Sequence, residues 1–198
     1  MKFRLAVFIA AITVIVPGCL RSLHPLYTEK DLVFDEKLLG TWIEKEGKAT
    51  WTFEKGGEKR YELVYYQRDY RREGKPEKVV SGDTARFSAH LVKLDRYYFL
   101  DIVPGKLNVK NDLLMTHLVA AHTFSRVWLG ADTLRMAMFD QDWVKKMIDS
   151  KKLKIQHERL DEEQVILTAP TKAIQKLVVT YAENKAAFPG PSELVRER

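Results

Sequence analysis

The sequence is poor in cysteine: its 198 residues include one, Cys19. A single cysteine excludes an internal disulfide framework, a four-cysteine zinc site and a Cys-x-x-Cys redox pair. Low-complexity tracts and internal repeats are also missing. Because a domain typically takes about 100–200 residues, a chain of this length is expected to form one domain.

Sequence signatures of catalysis are missing as well. None of the six serines lies in a Gly-x-Ser-x-Gly motif, and no glycine-rich phosphate-binding loop occurs. His157-Glu158 is not followed by the second histidine of a metalloprotease helix. His117 and His122 are five residues apart, so on a helix they would not share a face. We therefore expect no metal site and no cofactor.

The N-terminus carries the clearest pattern in the chain. Lys2 and Arg4 precede an apolar run, residues 5–16, that is twelve residues long. As a helix this run would rise about 18 Å, which is shorter than the roughly 30 Å hydrocarbon core of a bilayer. A basic start followed by a short apolar run indicates a secretory signal rather than a membrane span.

The run ends in Val16-Pro17-Gly18-Cys19, which resembles the lipobox of bacterial lipoproteins. The resemblance implies a signal peptide over residues 1–18, cleavage between Gly18 and Cys19, and diacylglycerol on the Cys19 thiol. Residues 19–31 would then form a lipidated tether. The alternative is an ordinary signal peptide with an unrelated cysteine.

The lipoprotein resemblance also predicts a location. Leu20 follows the cysteine where an aspartate would favour retention at the inner membrane, so the expected site is the bacterial cell envelope, at the outer membrane facing the periplasm. Loss of residues 1–18 leaves 31 basic and 27 acidic residues, a net charge of +4. This modest, interspersed charge does not favour a nucleic-acid partner. The expected partners are the membrane, through Cys19, and an envelope protein.

The mature chain has the hydrophobic pattern of a strand meander. Ala49, Trp51 and Phe53 alternate with polar residues, which predicts a strand with one buried face. Gly56-Gly57 predicts a turn into the next strand. About nine such strands follow one another in hairpins. Two segments have helical spacing instead, near 140–152 and near 170–187. We expect a β-rich domain over 32–188 and a flexible tail over 189–198.

Gly40-Thr41-Trp42 resembles the start of the first barrel strand in lipocalins, where the indole closes one end of the barrel. The fold class predicted is therefore mainly β (α+β): an antiparallel meander closing into an up-and-down, lipocalin-like barrel, or a curved sheet, with the two helices. The Leu-Leu-Gly-Thr-Trp start is also similar to that of uncharacterised bacterial lipoproteins, a likeness that implies no activity.

Large aromatic side chains are predicted to point into the barrel, where they would line a ligand cavity or fill the core. The candidates are Trp42, Trp51, Phe53, Tyr61, Tyr65 and Phe87. The inward set further includes Leu63, Ala89, Leu91, Tyr97 and Phe99. Because most of these side chains are bulky, we expect a mostly filled barrel with any pocket confined to one mouth.

These patterns favour a lipid-anchored, non-catalytic binding or structural module. One alternative is an envelope enzyme with a site assembled from scattered polar residues, such as Asp140 with His117 or His122. The other is a lipocalin-type carrier of a small apolar ligand. The lysines at 145, 146, 151, 152 and 154 are interpreted as the solvated face of a helix rather than as a site for anionic headgroups.

Overall fold

Eight antiparallel strands close into a barrel and form the main body of the protein. The structure, a computed structural model, describes residues 18–45, 47–71, 78–106 and 109–197. Its strands are β1 (Arg21–Ser22), β2 (Leu32–Val33), β3 (Gly40–Glu44), β4 (Ala49–Lys55), β5 (Tyr61–Arg71), β6 (Lys78–Leu94), β7 (Tyr97–Pro104), β8 (His122–Leu129), β9 (Thr133–Met138), β10 (His157–Arg159), β11 (Val165–Leu167) and β12 (Ser192–Arg196). Its α-helices are α1 (Asp112–His117), α2 (Gln141–Asp149) and α3 (Thr171–Thr180). The signal peptide predicted for 1–18 lies outside the described residues except for Gly18.

The strands from β3 to β9 pair with their neighbours in chain order, all antiparallel. The last strand, β12, pairs with β3 on one side and with β9 on the other, which closes the barrel. The prediction of a mainly β, antiparallel barrel is confirmed. Four short strands of the described residues lie outside the barrel. β2 pairs with β6, β1 pairs with β8 on one side and β11 on the other, and β10 pairs with β11.

Hydrophobic side chains form two separate cores, one inside the barrel and one outside it. The interior core is built from Leu38, Trp42, Phe53, Tyr61, Leu63, Ala89, Leu91, Leu100, Ile102, Val127, Leu134, Met136 and Leu194. The outer core lies among the outer face of the barrel, the N-terminal segment, α2 and α3, and it includes Leu20, Leu26, Phe99, Phe124, Phe139, Val144, Ile174, Val178 and Phe188. The prediction that Tyr97 and Phe99 point inward is wrong, because alternation along β7 places both in the outer core while Leu100 and Ile102 fill the interior.

Both predicted helices are present but shorter than their hydrophobic spacing suggests. α2 ends at Asp149, and Lys151 beyond it takes the left-handed φ of 59° that is common just after a helix. α3 ends at Thr180 rather than near 187. The Asn184 side-chain oxygen accepts hydrogen bonds from the amides of Ala186 and Ala187, which holds that segment in a turn.

The N-terminal segment, expected to be a tether over 19–31, is instead packed on the barrel. Leu20 and Leu26 are completely buried in the outer core, and β1 pairs with both β8 and β11. The charged and polar residues that suggested a tether lie between these buried leucines. This segment is in contact with the rest of the fold from the first described residue, since the Gln141 amide donates a hydrogen bond to the Gly18 oxygen at 3.1 Å.

The segment 189–198, expected to be a flexible tail, contains β12. Leu194 is completely buried in the interior core, whereas its neighbour Val195 is 42% exposed on the outer surface. The prediction was wrong because a five-residue strand with one buried side chain has little detectable alternation, and Pro189-Gly190-Pro191 before it marks a chain break.

Leu194→Ala is predicted to destabilise the protein by about 2–5 kcal/mol, because it opens a cavity in the interior core. Val195→Ala, the matched control on the same strand, should cost about 1 kcal/mol or less, since its side chain faces solvent. Urea unfolding of both variants measures the difference. Equal losses would contradict a role for β12 in closing the barrel.

Candidate functional site

One end of the barrel, which we call the sealed end, is partly covered by the segment that precedes β3, although a cavity of about 370 Å³ beside Asp35 reaches Leu91 and Val127 of the interior core. Trp42 is completely buried there, and its indole nitrogen donates a hydrogen bond to the backbone oxygen of Leu38 at 2.9 Å. The guanidinium of Arg196 lies 4.2 Å from the centre of the Trp42 ring. Phe34 stacks on Tyr61 at 4.8 Å, and burial raises the pKa of Tyr61 to about 12, so its hydroxyl stays protonated.

Gly40 is required at this sealed end by its backbone conformation. Its φ is 105°, in a region that side chains rarely adopt, and a Cβ atom here would lie 2.9 Å from the Arg196 guanidinium. Arg196 also donates a hydrogen bond to the Leu39 oxygen at 2.7 Å. The Gly40-Thr41-Trp42 start therefore forms part of the covering at this end of the barrel.

The opposite end of the barrel is open and holds an apolar cavity of about 330 Å³. Its walls are aromatic, aliphatic and thioether side chains, with a few polar groups around them. The lining residues are Trp51, Leu63, Tyr65, Phe87, Ile102, Met136 and Met138, together with Cys19, Glu44, Thr123 and Ser192. We call this cavity the mouth.

The aromatic wall of the mouth is held in place by one carboxylate. The Trp51 and Tyr65 rings meet edge to face at 4.9 Å, and the Trp51 indole nitrogen donates a hydrogen bond to Glu44 at 3.3 Å. Burial raises the pKa of Tyr65, and the nearby Glu44 charge raises it further. The mouth therefore presents a neutral phenol and one acidic group to any occupant.

Cys19 contributes to the lining of the mouth and is partly buried. It forms an antiparallel bridge with Asp140, and the next residue, Leu20, donates its amide to the Phe139 oxygen at 3.1 Å. Burial raises the pKa of the Cys19 thiol, with a further contribution from the Asp140 charge. The thiol therefore stays protonated, which is unlike the lowered pKa of reactive cysteines.

A buried polar cluster on the outer face fastens the N-terminal segment to the barrel. Asp101 is completely buried; one of its oxygens accepts the Leu26 amide at 2.7 Å and the other lies 2.6 Å from the Nδ1 atom of His122. His90 pairs opposite Asp101 across β6 and β7, and its ring lies 4.4 Å from that of Tyr27. One carboxylate oxygen thus holds the N-terminal segment, and the other holds His122 at the start of β8.

The structure does not assemble the catalytic group considered from the sequence. His122 contacts Asp101, whereas the Asp140 carboxylate caps α2 by accepting the Trp143 amide at 2.7 Å. His117 lies exposed in α1, with its Nδ1 atom 2.7 Å from the Leu113 oxygen. Within the described ranges, no three histidine, cysteine or acidic residues are grouped so that they could hold a metal ion.

The aromatic residues proposed from the sequence divide into two groups. Trp51, Tyr65 and Phe87 line the mouth, whereas Trp42, Phe53 and Tyr61 fill the barrel beneath it. Sequence reasoning missed Ile102, Met136 and Met138 as lining residues. These residues occupy alternate positions of β7 and β9, and such alternation could have identified them. Both strands have buried residues on each face, however, so no alternation of apolar and polar residues is visible in the sequence.

The lysine-rich face of α2 borders a larger groove of about 750 Å³ beside Gly18. Acidic side chains are interspersed with its lysines, and Lys145 pairs with Asp149 at 3.2 Å. This mixture of signs is typical of a solvated helix face rather than of a site for an anion.

No family model, curated protein or solved structure matches this chain. None of the helices formed by the described residues is long and apolar enough to cross a bilayer. The candidate site therefore rests on the geometry of the chain itself.

Burial lowers the pKa of His90, and its Nδ1 atom has no hydrogen-bond partner among the described residues. In the unfolded chain His90 takes up a proton as the pH falls through about 6.5, whereas in the folded chain it stays neutral to a lower pH. The free energy of unfolding should therefore decrease as the pH falls below about 6.5. One such group contributes a slope of at most about 1.4 kcal/mol per pH unit. His90→Phe should flatten the dependence of the unfolding free energy between about pH 6.5 and 5.5, measured in urea. An unchanged slope would contradict this assignment.

Proposed function

We propose that this protein is a lipid-anchored module of the bacterial cell envelope that binds one apolar chain in the mouth of its barrel. The observation that carries the proposal is the position of Cys19, the residue expected to be lipidated, in the lining of the apolar cavity. The proposed activity is binding, without catalysis. A barrel fold is consistent with a binding or carrier module.

The proposed anchor is supported by the sequence. The basic start, the short apolar run and Val16-Pro17-Gly18-Cys19 together resemble a lipoprotein signal, and the chain has no other cysteine. Each acyl chain contributes about 0.8 kcal/mol per buried methylene, so two or three chains on Cys19 would anchor the protein stably. The proposed location is the outer membrane, facing the periplasm, because Leu20 rather than aspartate follows the cysteine.

The size and chemistry of the mouth support a ligand with a single apolar chain. Its volume of about 330 Å³ lies near the lower end of the roughly 300–1,000 Å³ of small-molecule pockets. Eight-stranded barrels of this kind hold at most one small ligand. The Glu44 carboxylate would repel a carboxylate on the ligand, so an acyl chain with a neutral polar end fits best.

Such an acyl chain has two possible sources: a lipid of the surrounding membrane, or the lipid attached to Cys19 itself. The two differ in what the lipidated protein can still bind. A chain supplied by a separate lipid leaves the mouth free to exchange, whereas a chain from the anchor would occupy it permanently and exclude an added ligand.

Cys19→Ala is predicted to prevent acylation and so abolish attachment through acyl chains, leaving an uncleaved or non-acylated form when the protein is expressed in a bacterium that processes lipoproteins. Mass spectrometry of the wild-type protein extracted from membranes should show a chain that starts at Cys19 and carries acyl groups. An unmodified Cys19 thiol in that mature protein would contradict the anchor.

Bromodecanol brominated at its terminal carbon is predicted to quench tryptophan emission, because Trp51 lines the mouth. Trp51→Phe should lower the quenching strongly, and any remainder would come from Trp42 beneath the mouth. Trp128→Phe should retain it, since Trp128 lies outside the cavity against Arg126 and Arg135. The assay uses unlipidated protein, and repeating it with lipidated protein distinguishes the two sources of the acyl chain. Equal quenching in both variants, or none in the wild type, would contradict binding in the mouth and favour a purely structural module.

A further inference from the structure

The connection between β7 and β8 exposes a concentrated group of large apolar side chains. The most exposed are Val119 at 75% and Leu113 at 72%, followed by Leu114 at 50%, Leu118 at 43% and Met115 at 36%. These five side chains lie within seven consecutive residues, and all of residues 111–120 are exposed. An apolar patch of this kind on a surface marks a contact with another phase or molecule.

This apolar connection leaves the barrel at the mouth. It begins at Gly105, whose amide bonds the Arg86 oxygen at 3.0 Å beside Phe87 of the cavity wall. It ends at β8, where Thr123 pairs with Ile102, and both residues line the mouth. Cys19 contributes to the same lining, so the apolar connection and the proposed anchor lie at one end of the barrel.

Local hydrogen bonds hold α1 in a helical turn. The Asn111 side chain accepts the Leu114 amide at 2.9 Å, which caps the start of the helix. The Thr116 hydroxyl donates a hydrogen bond to the Asp112 oxygen at 2.8 Å. The apolar side chains are thus presented outward by a turn that is stabilised by its own polar groups.

Exposed lysines precede the apolar group. Lys106 and Lys110 lie between the barrel rim and α1, and Asp112 is the acidic residue beside them. Lysines next to exposed leucine and valine side chains suit the boundary between anionic lipid headgroups and acyl chains, where the apolar side chains enter the boundary and the ammonium groups remain outside.

We propose that residues 111–120 form a membrane-docking segment that enters the headgroup region of an anionic bilayer and turns the mouth towards the lipid. The inference rests on the proposed function in one respect, that the protein works at a membrane surface. The occupant is the bilayer itself rather than a protein, because both the lysines and the position of Cys19 bring this end to lipid. A mouth held at the surface can then take an acyl chain directly from the membrane.

The test measures binding of unlipidated protein to vesicles, so that it does not depend on the anchor. All described strands and helices lie between Arg21 and Arg196, so a chain of residues 19–198 with Cys19→Ser contains the whole described fold. This protein should co-sediment with vesicles of phosphatidylethanolamine and phosphatidylglycerol, and bind less to vesicles of phosphatidylcholine alone.

Leu113→Ser combined with Val119→Ser should lower the partition coefficient about tenfold or more, since burial of two aliphatic side chains is lost. Tyr98→Ser is the matched control, because it removes a large side chain that is 41% exposed at the opposite end of the barrel, near the start of β7. This variant should bind vesicles as the parent protein does. Replacing Lys106 and Lys110 by Gln should weaken binding only to the anionic vesicles.

Two outcomes would overturn the docking proposal: no vesicle binding by the parent protein, or equal binding by the serine double variant. The first would indicate that the apolar group meets a protein partner. Neither outcome bears on the anchor or on ligand binding, because acylation of Cys19 is measured by mass spectrometry and occupancy of the mouth by quenching of Trp51. Conversely, vesicle binding with an unmodified Cys19 would support docking and reject the anchor.

Discussion

The closure of the barrel by β12 is the constraint on which the rest of the structure depends. This strand supplies hydrogen-bond partners to β3 and β9, which would otherwise be open edges. Its Leu194 completes the interior core, and its Arg196 covers Trp42 at the sealed end. Its first residue, Ser192, belongs to the lining of the mouth. One short strand therefore contributes to the sealed end, to the interior core and to the mouth of the barrel.

The division into two cores determines where the N-terminal segment can lie. Because β7 has buried residues on both faces, the barrel offers an apolar outer surface as well as a filled interior. Leu20 and Leu26 cover that surface, and the buried Asp101 carboxylate fixes the segment through the Leu26 amide. Since the chain is held from Leu20 onward, Cys19 has little freedom and remains beside the mouth. The proposed anchor would thus orient the body rather than merely tether it.

The sequence predicted those features that local patterning controls. Alternation around Trp51 and Phe53 located a strand with the correct inward face, and Gly40-Thr41-Trp42 located the sealed end. Sequence patterns did not predict the features that depend on pairing between strands distant in the chain. The strand at Ser192–Arg196 has too few buried residues to be seen without its neighbours β3 and β9. Met136 lines the mouth because of its position in β9, and local spacing alone carries no information about which end of a barrel is open.

The same closure has a kinetic consequence. The hydrogen-bonded pairing of β3 with β12, which includes Trp42 opposite Arg196, joins the first barrel strand to the last. The barrel therefore has a high contact order, and the last step of folding must close a very long loop of chain. Folding is therefore expected to be slow for a protein of this size, with β3 and β9 open to pairing with other chains until β12 is in place. The β3 strand is especially vulnerable, since its partner on that side is made only after all the other barrel strands. Conditions that keep the unfinished chain apart from its copies would therefore favour correct closure of the barrel.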